Sequence, residues 1–423
     1  MNVTRGPSTE VRYLAEFNAE IVSEIVKDDG VTKTSAYRIE ATLPRGARLP
    51  PVDVDAEDFP KMEWPCLLGS RAIVRAGRDT RDHLRVAIQA LSKPAVRNVY
   101  GHVGWRAVEG KMAYLHPGGA IGAEGVAVEV ELGSGRFHLP EEGPDIQAAI
   151  RHSLSIIDVG SQMVTIPLLA ATYASVLSSV LEPDFALWVV GRSGAFKSSL
   201  AALVASHFGT FNYNSLPASW SSTVNYLEGL LFKWKDALLV VDNYVPGQGA
   251  RDQQGLQDKA LRLIQNIGDR SSRGRNDRDN QERARRDPRG LVVFTGEDLP
   301  PTNESTLGRL LVIDVPKGSI DLDRVIEARA QLGLLAEAMH GFLAYVATDF
   351  EGVATFVRRT KQVWRDFFRQ ALKPFGVHER VANNLGTLAA GFALFLRFAE
   401  DAGAISRDEA SALSDSGLRS LVE

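Results

Sequence analysis

The chain has 423 residues, 44% hydrophobic and 24% charged, with a formal net charge of −4. That length leaves room for two or three domains, each with its own core, and the acidic balance restricts any nucleic-acid binding to local patches. Its single cysteine, Cys66, excludes an intrachain disulfide and a cysteine-rich zinc site and favours a reducing cytoplasm.

Up to about residue 142 the sequence alternates in short runs broken by Gly and Pro. Residues 31–41 and 122–132 read as half-buried strands, and 79–91 as a helix between them. Residues 140–144, with Pro140 and Pro144, read as a linker. No basic-then-apolar secretory leader opens the chain. Residues 156–181 carry only Asp158 as a charge, but Ser161, Gln162, Thr165, Pro167 and several further hydroxyls interrupt them. A buried helix suits that composition better than a membrane span.

From 145 to about 318 helical and strand patterns alternate, as in an α/β domain with a mostly parallel sheet. The apolar run 186–190 ends in Gly191-Arg192-Ser193-Gly194-Ala195-Phe196-Lys197-Ser198-Ser199, followed by an amphipathic stretch to Phe208. A strand, a Gly-containing loop and a helix N-terminus in that order form a cradle for nucleotide phosphates. In such a cradle Lys197 reaches the β- and γ-phosphates, and the Ser198 hydroxyl ligates Mg²⁺. Phe196 stands where glycine usually precedes the lysine, so the loop must turn mainly at Gly191 and Gly194.

A second apolar run, 237–241, delivers Asp242 at its end, where a carboxylate can hold Mg²⁺ opposite Ser198. The next residue is Asn243, which cannot take a proton from water. Glu228 and Glu297 are therefore the candidate water-activating acids, with Asn243 able only to orient water. A third apolar run, 291–294, ends at Thr295, a candidate γ-phosphate sensor. Arg309 precedes a further strand, as either a surface cation or a phosphate-stabilising group.

Between the second and third runs lies an arginine-rich insertion, 269–289, containing Arg270 and Arg273 and no lysine. Guanidinium density suits phosphates, of a nucleic-acid backbone or of a neighbouring subunit's nucleotide. Its acidic residues equally fit a solvated mixed-charge loop. No aromatic lies within it, which points away from base readout. From 322 to 423 the period is helical, broken at 373–376 and 402–403. Helical pattern persists to the last residues, as expected of a fragment of a longer protein.

Several stretches together resemble a family of phage and mobile-element P-loop ATPases, the domain-of-unknown-function family numbered 927, which looks related to superfamily III helicases. They are Gly101-His-Val-Gly-Trp105-Arg, His116-Pro-Gly-Gly-Ala-Ile-Gly, Val190 to Ser198, His207-Phe-Gly, Ser222-Thr-Val-Asn-Tyr-Leu-Glu, Lys235 to Asp242, and Phe294-Thr-Gly-Glu-Asp-Leu-Pro. The resemblance implies a P-loop NTPase core behind a β-rich α+β N-terminal domain (1–142) and before a helical C-terminal domain (320–423). It further implies a ring homo-oligomer in which Arg270, Arg273 or Arg309 completes a neighbour's ATP site. The expected activity is Mg²⁺-dependent ATP hydrolysis coupled to movement on DNA, with backbone contacts to a single strand, in the cytoplasm and without a membrane. A nucleotide-gated scaffold with little hydrolysis and a P-loop kinase are the alternatives. No primase or zinc-binding segment is expected ahead of the core.

Overall fold

The computed structural model describes residues 2–5, 8–132, 135–140, 143, 145–247, 249–272 and 284–422. It is a mixed α/β protein with several sheets, one of them parallel, and a helical C-terminal region. Two compact units divide it, Met1–Gly101 and His102–Glu423.

In the first unit the long strand Asn18–Asp28 runs antiparallel to Lys33–Thr42 and parallel to Ala95–Tyr100. Val52–Asp55 extends the sheet beyond Lys33–Thr42. Alternation puts Ile21, Ile39, Ala41 and Val54 in one core, as period-two patterning requires of a half-buried sheet. The helix expected over 79–91 is Thr80–Leu91, whose Leu84 and Ile88, one turn apart, bury into the same core.

The run 122–132 departs from expectation, being strand only at Ala127–Val128. Gly122 (φ 93°) and Gly125 (φ 68°) turn its backbone instead. Residues 102–142 also group with the second unit rather than the first. Trp105 Nε1 donates to the carbonyl of Val176 at 2.7 Å, and Tyr114 Oη donates to the carbonyl of Asp236 at 2.8 Å. Both rings are fully buried, so the small antiparallel sheet that carries them (Gly104–Val108, Lys111–His116, Gly119–Ile121) is fastened there.

The second unit is built on a five-stranded parallel sheet. Its order is Ala218–Ser219, Leu238–Tyr244, Leu291–Gly296, Ala186–Val190 and Leu310–Asp314. The three central strands are nearly all apolar and buried, as expected where helices cover both faces. Helix Gln162–Ser175 is buried from Val164 onward, so the apolar stretch around it is core. Helix Glu379–Asp401 crosses it at Gly391, where a Cβ would lie 2.5 Å from that of Ala174. By length and composition that second helix alone, among the described residues, could cross a bilayer, yet 78% of its apolar window is buried inside the protein. Helices Leu332–Thr348, Phe350–Leu372 and Arg407–Val422 complete the C-terminal region, with the expected break at Lys373–Phe375.

Candidate functional site

Because the five strands are parallel, their C-terminal ends open onto one rim. Strand Ala186–Val190 runs there into the glycine loop, and helix Lys197–Ala205 leaves it. Gly191 lies so close to the next strand that a Cβ would sit 2.6 Å from the carbonyl oxygen of Val315. Only glycine fits that passage. Phe196, directly before the helix, takes the left-handed conformation (φ 61°) in which glycine would be unstrained. Gly194 (φ 81°) makes the other left-handed turn, so the loop turns at Phe196 and Gly194, while Gly191, expected to turn, instead serves the close passage beside Val315.

The loop, Asn243, Val245, Thr295, Glu297 and Tyr213 enclose a cleft of about 220 Å³. Lys197 folds over it, its Nζ donating to the carbonyls of Gly191 at 2.7 Å and Arg192 at 3.1 Å. Burial pushes the ammonium below its ordinary range, while the charges of Glu297 and Asp242 pull it back up. Ser198 Oγ donates to Asp242 Oδ1 at 2.9 Å. Thr295 Oγ1 donates to the same carboxylate oxygen, and accepts from the Asn243 amide at 3.1 Å. Three strand or helix ends thus converge on one oxygen. Asn243 is itself left-handed (φ 72°) at an irregularity in the strand pairing, which leaves its side chain exposed on the cleft.

No group of three or more metal-ligating side chains exists among the described residues. A hydroxyl and a single carboxylate fit Mg²⁺, which keeps most of its waters and takes further oxygens from substrate phosphates. Of the two candidate acids, Glu297 lines the cleft. Glu228 does not: both its oxygens accept from Arg262, at 2.7 and 2.8 Å, and Asn266 Nδ2 donates to it at 2.9 Å. Ser193 and Ser199 line the cleft, Ala195 is buried and Arg192 is exposed.

The arginines fall elsewhere. Arg309 precedes strand Leu310–Asp314, and its partner register with Ala186–Val190 puts it at the sheet end opposite the loop. It pairs with Asp269 at 2.6 Å and donates to Ser305. Arg270 lies one residue beyond Asp269, with a buried Nη1 that has no hydrogen-bond partner among the described residues. Arg273 and most of the insertion lie outside the described residues.

Two features escaped sequence reasoning. Tyr213 lines the cleft and carries Arg329 over its ring at 5.1 Å, though no motif surrounds it. Asp236, wholly buried, accepts from the amides of Trp105 (3.0 Å) and Ser179 (2.7 Å) and from Arg289 Nη2 (2.7 Å). It anchors the far end of the arginine insertion. Burial raises its carboxyl pKa, against the pull of Arg289.

Residues 152–287 match the model of the family described as Domain of unknown function (DUF927), in agreement with the resemblance read from the sequence. Among solved structures, the chain is similar to an SCCmec type IV Cch described as an active helicase. Identity is 15%, the TM-score is 0.56, and the match covers 98% of this chain and 77% of that one. At that identity the likeness establishes a shared fold. A JCV helicase (17% identity, 59% of this chain and 67% of that one, TM-score 0.29) and the apo C-terminal region of NrS-1 (10%, 86% and 86%, 0.30) superpose much more loosely. No curated protein matches.

Proposed function

We propose that this chain is a Mg²⁺-dependent ATPase of helicase type that couples hydrolysis to movement on DNA in the replication of a mobile element or phage. The observation that carries the reading is the Ser198–Asp242 hydrogen bond at the lip of the loop–helix cleft. A hydroxyl and a carboxylate side by side are the pair that a phosphate-bound Mg²⁺ would use. The loop and the first amides of the Lys197 helix would hold phosphate oxygens. Lys197 would leave its two carbonyl acceptors for the β- and γ-phosphates, and Thr295 would report on the γ-phosphate. Bound Mg²⁺ supplies charge neutralisation of the phosphates. With Glu228 committed to Arg262, Glu297 would be the acid that takes a proton from water.

Arg309 stands at the wrong end of its own sheet for its own cleft. Five residues of strand separate the two ends, roughly 15 Å, so its contribution to hydrolysis would be to a neighbouring copy in a ring. Turnover measured with and without Mg²⁺ and single-stranded DNA tests the proposal. Wild type should require the metal and respond several-fold to the strand, and Lys197→Ala should abolish turnover. Undiminished turnover in Lys197→Ala would remove the site assignment. A second reading, a nucleotide-gated scaffold, draws on Asn243, which cannot act as a base. Tight ATP binding with negligible turnover would favour it.

A further inference from the structure

The first unit carries a concentration of arginine that neither the nucleotide cleft nor the central insertion uses. Residues 69–92 contain Arg71, Arg75, Arg78, Arg81 and Arg85 against Asp79 and Asp82, and no lysine, in a chain whose net charge is negative. The fold lays residues 12–16 against this segment. Residues 14–16 run antiparallel to 73–75, through the Ala15–Val74 bridge and the amide bonds Glu16 to Ile73 and Arg75 to Leu14. Arg12 is thereby laid alongside, its Nη2 donating to Thr80 Oγ1 at 3.1 Å at the start of helix Thr80–Leu91. Arg81 and Arg85 then follow one turn apart on that helix.

Carboxylates answer some of this charge. Glu16 holds Arg75 at 2.7 Å, Asp79 lies 3.8 Å from Arg78 and Asp82 lies 3.6 Å from Arg85. The last two pairs are long, and Arg78 is 96% exposed, so neither holds its guanidinium tightly. Arg71 and Arg81 are exposed and have no carboxylate partner among the described residues. Beside this patch stands Tyr13, 66% exposed, with Arg75 packed over its ring at 5.5 Å. An exposed aromatic among exposed arginines is what a single strand of nucleic acid requires: cations track the phosphates and a flat ring takes a base. The central insertion has the cations without the ring.

We infer that the face formed by Arg71, Arg78, Arg81 and Tyr13 binds single-stranded nucleic acid, through its phosphates and one stacked base. The inference adds a second strand-binding surface to the proposed function and rests on that reading only for the relevance of the strand. The Arg71→Ala/Arg78→Ala/Arg81→Ala triple variant and Tyr13→Ala, each in the full chain, are titrated against fluorescent oligo(dT) and oligo(U) by anisotropy, without nucleotide, between about 50 and 200 mM salt. The triple variant should bind the strand about tenfold or more weakly, with the slope of log K against log salt reduced by about 2, near 0.7 for each phosphate no longer neutralised. Tyr13→Ala should weaken binding about fivefold or more, with the slope unchanged. The corresponding Arg→Lys triple variant should keep most of the affinity, which separates lost charge from lost folding. ATP turnover without the strand should be unaffected in all of them. A triple variant with wild-type affinity and slope overturns the surface, and an unaffected Tyr13→Ala overturns its stacked base. Preference for oligo(dT) or oligo(U) assigns the strand as DNA or RNA. Because no nucleotide is added, wild type lacking ATPase activity would defeat the proposed function without touching this result.

Discussion

Ser198 and Asp242 lie 44 residues apart in sequence, yet the serine hydroxyl donates to the aspartate carboxylate at 2.9 Å. Thr295 meets the same oxygen from the strand between them. The carboxylate is thus held by two hydroxyls, and its orientation is set by side chains from two other segments. Asp242→Asn keeps the shape and removes the charge. Turnover should fall by about 10²–10³, the loss that accompanies removal of one preorganised electrostatic partner, while the melting temperature changes little. Raising Mg²⁺ should recover part of the rate in Ser198→Ala but little in Asp242→Asn. Steady-state phosphate release across a Mg²⁺ titration distinguishes the two, and equal behaviour would refute the division of roles.

Phe196 bears a side chain where the backbone prefers none. A left-handed conformation costs a non-glycine residue roughly 1–2 kcal/mol, and this ring, 37% exposed, recovers only part of that through burial. Phe196→Gly should therefore raise unfolding stability by about 1 kcal/mol in urea, less the added freedom of the unfolded chain. ATP turnover should persist, because the loop keeps its backbone path. A destabilised variant would mean that the ring's contacts around the cleft outweigh the strain.

Much of the candidate site's geometry was legible because its residues close apolar runs. Val190, Val241 and Phe294 each end a stretch too apolar to be anything but a buried strand, and Lys197, Asp242 and Thr295 follow them closely. Parallel strands then carry all three to one rim. What the sequence hid was tertiary pairing. Glu228 looked free to act on water, but Arg262, on a different helix, takes both its oxygens. For Arg309 the sequence left a surface cation and a phosphate-stabilising role both open, and only the strand register shows it at the sheet end opposite its own chain's loop. Tyr213 reaches the cleft through an irregular segment with no periodicity to read. That the segment from His102 onward groups with the second compact unit was hidden for a similar reason. Trp105 and Tyr114 look like ordinary strand residues until their polar atoms are seen bonded to Val176 and Asp236.

Arg309 gives a prediction about assembly. Within one chain it pairs with Asp269, so Arg309→Ala should leave ATP affinity near wild type while turnover falls by about 10³ or more, as for arginines supplied in trans. Lys197→Ala should be inactive for the opposite reason. Mixing the two inactive variants should restore a fraction of the activity, because some interfaces then combine an intact Lys197 cleft with an intact Arg309. Mixtures with no activity at any ratio would place the role of Arg309 within its own subunit.

Asp236 and Arg289 tie the end of the arginine insertion to the core. The carboxylate is fully buried, and Arg289 is its only cationic hydrogen-bond partner among the described residues. Arg289→Ala would leave a buried charge supported by two backbone amides alone, at a cost of about 3–5 kcal/mol. Asp236→Asn in that background should recover part of the loss by removing the stranded charge. Urea midpoints of the two variants and their combination give the coupling directly, and additive effects would contradict the pairing.

Acid should destabilise this protein through its buried histidines. His207 is fully buried, with Nε2 against Ser153 Oγ at 2.8 Å and Nδ1 against the carbonyl of Val204 at 3.2 Å. A neutral ring satisfies both contacts, donating to Val204 and accepting from the serine. Burial is the main cause that lowers its pKa to about 4; His102 and His116, also buried, are lowered to about 4 as well. The unfolded chain, with an ordinary histidine near 6.5, binds the proton first. Stability from these rings is therefore complete above about pH 6.5 and is lost as pH falls toward 4. Each ring contributes on the order of 3 kcal/mol over that window, at about 1.36 kcal/mol for every pH unit between its unfolded and folded pKa. His207→Asn should lower stability at pH 7 and also flatten the pH dependence by one proton's worth, leaving the portion due to His102 and His116. Urea unfolding at a series of pH values between 4 and 7 reads that slope. An unchanged slope would mean that His207 is already charged, or open to water, in the folded protein.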